Sequence, residues 1–223
     1  MSYLDKLFAS VDEYFIEKLV EKDPIFDQIL ANNQKYQLPP HDVSPSQGKF
    51  LYLLSKIKGA KRILEIGTLG GYSTLWFAKA VDDDGQVVSL EYDKKHAEVA
   101  KENLNIAGVS DKTTILVGAA SDSLEKMVQA QTAPFDLIFI DADKENNSVY
   151  LNYALQLSTP GTIIIGDNVV RDGDVLDSAS SDGRVLGVRS FVNDLAISQT
   201  LTSTAIETVG IKGYDGFTIS IVE

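Results

Sequence analysis

Acidic and small residues recur where apolar runs stop. Arg62-Ile63-Leu64-Glu65-Ile66 leads into Gly67-Thr68-Leu69-Gly70-Gly71-Tyr72-Ser73, and a second run ends at Glu91 with Asp93 just beyond. A third gives way to Gly118-Ala119-Ala120, a fourth to Asp141-Ala142-Asp143-Lys144 and a fifth to Gly166-Asp167-Asn168. A glycine turn lets a ligand approach the backbone, because no side chain intervenes. A carboxylate at Glu91, closing the strand after that turn, can accept hydrogen bonds from both hydroxyls of a ribose. Asp141, Asp167 and Asn168 offer hard oxygen ligands, which suit Mg²⁺, Ca²⁺ or Mn²⁺. Lys144 follows Asp141 by three residues, and a lysine beside a divalent cation gives up its proton more readily and can serve as a general base. Singly, the glycines and Glu91 read equally well as a tight turn and a solvated strand end, while either aspartate alone reads better as a cap and a lysine away from a metal as a surface residue. Together, at successive strand ends, they favour a nucleoside site beside a metal. The glycines are not spaced G-x-G-x-x-G and no Gly-Lys-Ser/Thr follows them, so the dinucleotide fingerprint and the phosphate-cradling loop are both missing. His41 and His96 have no partner for a proton relay, and Arg171 reads as a solvated loop residue.

The elements that position these residues follow from periodicity. Leu4, Leu7, Phe8, Val11 and Phe15 make one helical stripe. Asp23-Pro24 and Ser44-Pro45-Ser46-Gln47 are helix starts, the second a capping box. From Arg62 onward strands alternate with helices: strands at 62–66, 86–91, 113–117, 136–140 and 162–165, helices near 72–80, 94–107, 121–130 and 149–157. Residues 166–184 read as a long loop before a helix near 187–197, and two last strands near 205–208 and 217–222 have no helix between them. Such alternation implies an α/β fold, a doubly wound, mostly parallel seven-stranded sheet with one antiparallel edge strand. With no linker in sight, residues 1–223 read as a single domain, 1–58 a helical N-terminal extension and 59–223 the ligand-binding core.

Composition removes several classes. The 223 residues contain no cysteine, which excludes disulfides, thiolate metal sites and a cysteine nucleophile. The formal net charge of −12 disfavours a broad phosphate-binding face. Apolar runs such as Leu137-Ile138-Phe139-Ile140 fall far short of the roughly 20 residues of a membrane helix. The start of the chain has no secretory pattern, so a cytoplasmic protein is expected.

Glu65-Ile66-Gly67-Thr68, Gly71-Tyr72-Ser73, Asp141-Ala142-Asp143-Lys144 and Gly166-Asp167-Asn168-Val169 resemble the cation-dependent O-methyltransferases, the small-molecule group that includes caffeoyl-CoA and catechol O-methyltransferases. Val43-Ser44-Pro45 and Gly213-Tyr214-Asp215-Gly216-Phe217 are similar to that family as well, and the resemblance runs from about residue 40 to the C-terminus. It implies a Rossmann-like methyltransferase fold and S-adenosylmethionine as methyl donor. It puts Val43, Asp141 and Asp143 at the donor, Glu65, Gly67 and Ser73 at its amino-acid end, Glu91 at the ribose and the Ala119 backbone at the adenine. It puts Asp141, Asp167 and Asn168 around a cation, usually Mg²⁺, and gives Lys144 the phenolic proton. It also implies a homodimer, with the N-terminal helices as dimer or lid elements. Two departures bear on the acceptor: Asn147 stands where relatives often carry Tyr, and Val169–Arg184 lacks the aromatic residues of plant members. The expected reaction is Mg²⁺-dependent methylation of a vicinal-diol phenol of catechol, flavonoid or hydroxycinnamate type. Methylation of a tRNA hydroxyuridine is opposed by the charge, and a non-catalytic nucleoside-binding module by the intact Lys144 and metal set.

Overall fold

The structure, a computed structural model, describes residues 2–223. Seven strands form a mixed, mostly parallel sheet flanked by helices. The chain divides into two compact units, Phe15–Ser123 and the stretch up to Tyr14 together with Leu124–Glu223. Among the described residues no helix is long and apolar enough to cross a membrane.

Helix α1 (Tyr3–Leu19) buries none of its side chains, and its stripe of Leu4, Leu7, Val11 and Phe15 is exposed. The Phe15–Ser123 unit continues with α2 (Pro24–Lys35) and α3 (Pro45–Lys58). Both start as their caps dictate, for Asp23 accepts from the Ile25 N–H and the Ser44 hydroxyl from the Gln47 N–H. The sheet portion follows: β1 (Arg62–Ile66), α4 (Tyr72–Ala80), β2 (Gln86–Glu91), α5 (Lys94–Ile106) and β3 (Thr113–Val117). Here the strands are parallel in the order β3-β2-β1.

The other unit takes up α6 (Ala120–Gln129), β4 (Leu137–Ile140), α7 (Asn147–Gln156), β5 (Ile163–Asp167), α8 (Gly183–Ile197), β6 (Leu201–Gly210) and β7 (Gly213–Val222). All four residues of β4 are buried, as a doubly covered strand requires. The order is β4-β5-β7-β6, and the one strand running against its neighbours is β7, with β6 outside it. The last two strands are ten residues each, longer than their apolar residues mark. Most of β6 is exposed, so it is held by its ladder to β7 rather than by burial, and an exposed strand carries no core-facing pattern. Residues 166–184 are not all loop: β5 extends to Asp167, Arg171–Leu176 forms 3₁₀-like turns broken by a kink at Asp172 and Gly173, and α8 opens at Gly183 with Asp182 as its cap.

A buried amide network fixes the turn after β1. The Asn103 amide on α5 donates to Gly70 O at 2.8 Å and to Asn33 Oδ1 at 2.9 Å, and its own oxygen accepts from Asn32 at 2.7 Å. Asn33 in turn donates to Asp42 at 3.0 Å. Gly70 is required here, since a Cβ would sit 2.0 Å from Asn33 Oδ1. Removing Asn103 strands two buried acceptors, each worth about 1–3 kcal/mol. Asn103→Ala is therefore expected to lose about 2–6 kcal/mol of stability in urea unfolding. An unchanged midpoint would show that the network does not hold the turn.

Candidate active site

In the Phe15–Ser123 unit the glycine turn is built on left-handed backbone at Gly67 (φ 106°) and Gly71 (φ 84°), a region that disfavours side chains. Glu65 lies beneath this turn, fully buried in β1. Its carboxylate accepts from Ser73 Oγ at 2.5 Å, Thr74 Oγ1 at 2.5 Å and Ser89 Oγ at 2.6 Å. The side chain thus orients the first turn of α4 and the Ser73 hydroxyl rather than facing open space. Thr68 adds to the same network through Ser89, 2.5 Å away. Ser73 belongs to the motif, whereas Thr74 and Ser89 are absent from it; the one signal for Thr74 is its place after Ser73 in the first turn of α4.

Glu91 closes β2 and is buried. Its Oε2 accepts from the backbone N–H groups of Thr68 (3.2 Å) and Leu69 (2.7 Å), and its Oε1 from that of Asp93 (2.8 Å). His96 Nδ1 stands 3.6 Å from Oε1. One carboxylate therefore joins the end of β2 to the glycine turn and keeps lone pairs for a further donor. Ala119 follows β3 with intermediate exposure, after Gly118 donates to Glu91 O at 2.9 Å. Val43 is buried between two fixed points, Asp42, which Asn33 holds, and Ser44, which caps α3.

In the unit holding Leu124–Glu223, β4 and β5 pair in parallel with Ile140 opposite Gly166. The next residues, Asp141 and Asp167, therefore follow paired positions on neighbouring strands. Asp167 is buried, and its Oδ1 accepts from the Asn168 N–H at 2.9 Å. Asn168 is in the left-handed region (φ 55°). Lys144 is 6% exposed, and its Nζ lies 2.8 Å from Asp141 Oδ1. Its turn is pressed against α8 at Gly187, where a Cβ would come within 2.2 Å of Lys144 O. A buried lysine nitrogen needs a polar partner, and Asp141 is that partner here.

Asp143 is exposed and engaged with its own helix, accepting from Tyr150 Oη at 2.5 Å and from the Asn146 amide. Burial pushes the Tyr150 phenol above its ordinary range, and the neighbouring Asp143 pushes it further, so it remains a proton donor. Asn147 is fully buried, and neither its Nδ2 nor its Oδ1 has a partner among the described residues.

Asp141, Asp167 and Asn168 fit a hard divalent cation: the donors are all oxygen, and two are anionic. Among the described residues no cluster of three or more His, Cys, Asp or Glu is gathered, so any cation site rests on two carboxylates and an amide.

A family model described as O-methyltransferase matches residues 16–220. A catechol O-methyltransferase of Niastella koreensis is 44% identical over 98% of this chain and 99% of its own length. The crystal structure of an O-methyltransferase from Bacillus cereus in complex with SAH superposes with a TM-score of 0.96, at 49% identity over 98% of this chain and 99% of that one. The O-methyltransferase TomG from Streptomyces achromogenes, involved in tomaymycin synthesis and solved in complex with SAM, gives 0.95 at 43% identity over 100% and 99%. Agreement on that scale, in sequence, length and fold, is what common descent leaves, and the chain belongs to the O-methyltransferase family.

Proposed function

We propose that this protein moves the methyl group of S-adenosylmethionine to one hydroxyl of a vicinal-diol phenol of catechol, flavonoid or hydroxycinnamate type, with a divalent cation bound. The observation that carries the reading is the pair of buried Lys144 with half-buried Asp141 just after β4, the strand that pairs with β5, whose end carries Asp167 and then Asn168. The catechol O-methyltransferase of Niastella koreensis supports the acceptor class, and the SAH and SAM complexes of relatives support the donor.

Each residue then has a task. Gly67 and Ser73 receive the amino-acid end of the donor, with Glu65 beneath them fixing the Ser73 hydroxyl. Glu91, already pinned by three backbone N–H groups, accepts from the ribose. The Ala119 backbone and Val43 border the nucleoside, and Asp143 with Asp141 supplies negative charge for a cationic donor. A divalent cation, Mg²⁺ before Mn²⁺ or Ca²⁺, would be held by Asp141, Asp167 and Asn168, and when bound lowers the pKa of a coordinated phenol. Lys144 Nζ, fixed by Asp141 Oδ1, takes the phenolic proton. The oxygen attacks the sulfonium methyl in line; the sulfur–carbon bond breaks as the oxygen–carbon bond forms, and the electron pair stays on sulfur. Little covalent work falls to the protein, so most of the acceleration is positioning, for which about 7–11 kcal/mol is available.

Two measurements test this. Lys144→Ala is expected to lower kcat on catechol by about 10²–10⁴-fold, the usual worth of a general base, while S-adenosylhomocysteine binding measured by calorimetry is unchanged. Wild-type turnover in that variant would remove Lys144 from the mechanism. With EDTA, methylation across a panel of diphenols should fall to background and return with Mg²⁺. Undiminished turnover after complete metal removal would overturn the cation assignment, and methylation of tRNA with none on diphenols would move the acceptor to RNA.

A further inference from the structure

The run from Asp167 to Asp172 leaves the sheet by an unusual path. Asn168, Arg171 and Asp172 all have φ near 55°, the left-handed region that non-glycine residues seldom enter. Three such residues in six persist only where surrounding bonds over-determine them. Nearly all of those bonds come from one place. After Asn168, whose N–H goes to Asp167 Oδ1, the Val169 N–H donates to Gly216 O at 3.0 Å. The Val170 and Arg171 N–H groups both donate to Asp215 Oδ1, at 3.0 and 3.2 Å. The same oxygen accepts from the Gly216 N–H at 2.9 Å. On the other side of Asn168, Asp167 pairs with Phe217 of β7.

Asn168 therefore sits between two fixed segments, the end of β5 and the Asp215 grip. Gly216 keeps the two strands of chain this close, since a Cβ there would lie 2.5 Å from Ile206 O and 2.8 Å from Val170 Cγ2. Val170 is buried, so its N–H has no easy recourse to solvent if Asp215 is removed. Without that acceptor the Val170 and Arg171 N–H groups lose what holds Arg171 and Asp172 in left-handed backbone, two residues beyond Asn168.

We propose that Asp215 is a positioning residue for the cation site: by holding the Val170 and Arg171 N–H groups it fixes the backbone that presents the Asp167 and Asn168 oxygens. This rests on the assignment of Asp167 and Asn168 as cation ligands. Asp215 acts through the backbone and touches neither donor nor acceptor.

The test is Mn²⁺ binding to the full chain without acceptor, followed by the electron paramagnetic resonance of free Mn²⁺. It is paired with S-adenosylhomocysteine calorimetry, thermal midpoints and amide hydrogen exchange at Val170 and Arg171. The wild type should bind one Mn²⁺ and Asp167→Ala should not. Asp215→Ala should bind Mn²⁺ about 10–100-fold more weakly, the usual cost of losing a group that orients a metal ligand, with donor-product affinity kept and faster exchange at both amides. Asp215→Asn keeps an oxygen able to accept from both N–H groups and should lie closer to wild type than Asp215→Ala. Should Asp215→Ala not fold, Asp215→Asn decides alone: retained Mn²⁺ affinity supports the grip, and loss as complete as in Asp167→Ala overturns it in favour of charge. Unchanged Mn²⁺ affinity in Asp215→Ala, with faster exchange at the two amides, overturns the inference and leaves the cation assignment standing. A wild type that binds no Mn²⁺, or an Asp167→Ala that binds it equally, overturns the cation assignment and this inference with it.

Discussion

At the carboxyl end of a parallel strand the next backbone N–H groups lose their ladder partners, and something else must accept from them. Here carboxylates perform that task. Glu91 accepts from three backbone N–H groups around the glycine turn, and Asp215 from three around the turn after β5. Glu65 acts in a similar way beneath the glycine turn, where three hydroxyls converge on it. A charged acceptor makes shorter and stronger hydrogen bonds than a neutral one, and it tolerates several donors at once. Turns held this way can stay in left-handed backbone without fraying, as at Leu69 (φ 49°) beside Glu91 and Arg171 (φ 56°) beside Asp215.

This bears on what a strand-end acid is for. Asp141 and Asp167 sit with oxygens directed at a lysine and at a neighbouring backbone, in a form that can also serve a cation. Glu65 and Asp215 each gather three protein donors instead, and so fix the segments that carry them. Residue type and position relative to the strand do not separate the two groups. Only the donors around each carboxylate do, and those come from segments distant in sequence, such as Ser89 for Glu65 and Val170 for Asp215.

The same distinction governs what could be read in advance. Strands β1, β2 and β3 and helix α4 begin and end where their apolar runs and the glycine turn place them, because those signals are local. Ser44-Pro45 and Asp23-Pro24 mark helix starts for the same reason. The juxtaposition of Asp141 and Asp167 was legible too, since parallel neighbours of equal phase must end together. The full extent of β6 was not, because Thr202, Ser203 and Thr204 are exposed and held by pairing alone. Nor were the amide network of Asn32, Asn33 and Asn103 or the buried Asn147, because an asparagine's partners depend on tertiary packing and leave no periodic trace.

Charge acts on the molecule as a whole. The run Asp82-Asp83-Asp84 reads as solvated surface, yet each member meets a lysine: Lys56 at 3.2 Å, Lys112 at 3.2 Å and Lys61 at 2.6 Å. Lys79 is likewise taken by Asp23 at 2.7 Å, and Arg184 by Asp182 at 2.6 Å. Exposed pairs of this kind add little stability. Their consequence is electrostatic: with a net charge of −12, basic side chains that could have gathered into a phosphate-binding stripe are instead distributed among acids. A polyanionic acceptor would have to displace those carboxylates one by one. A cationic or small neutral ligand meets no such opposition.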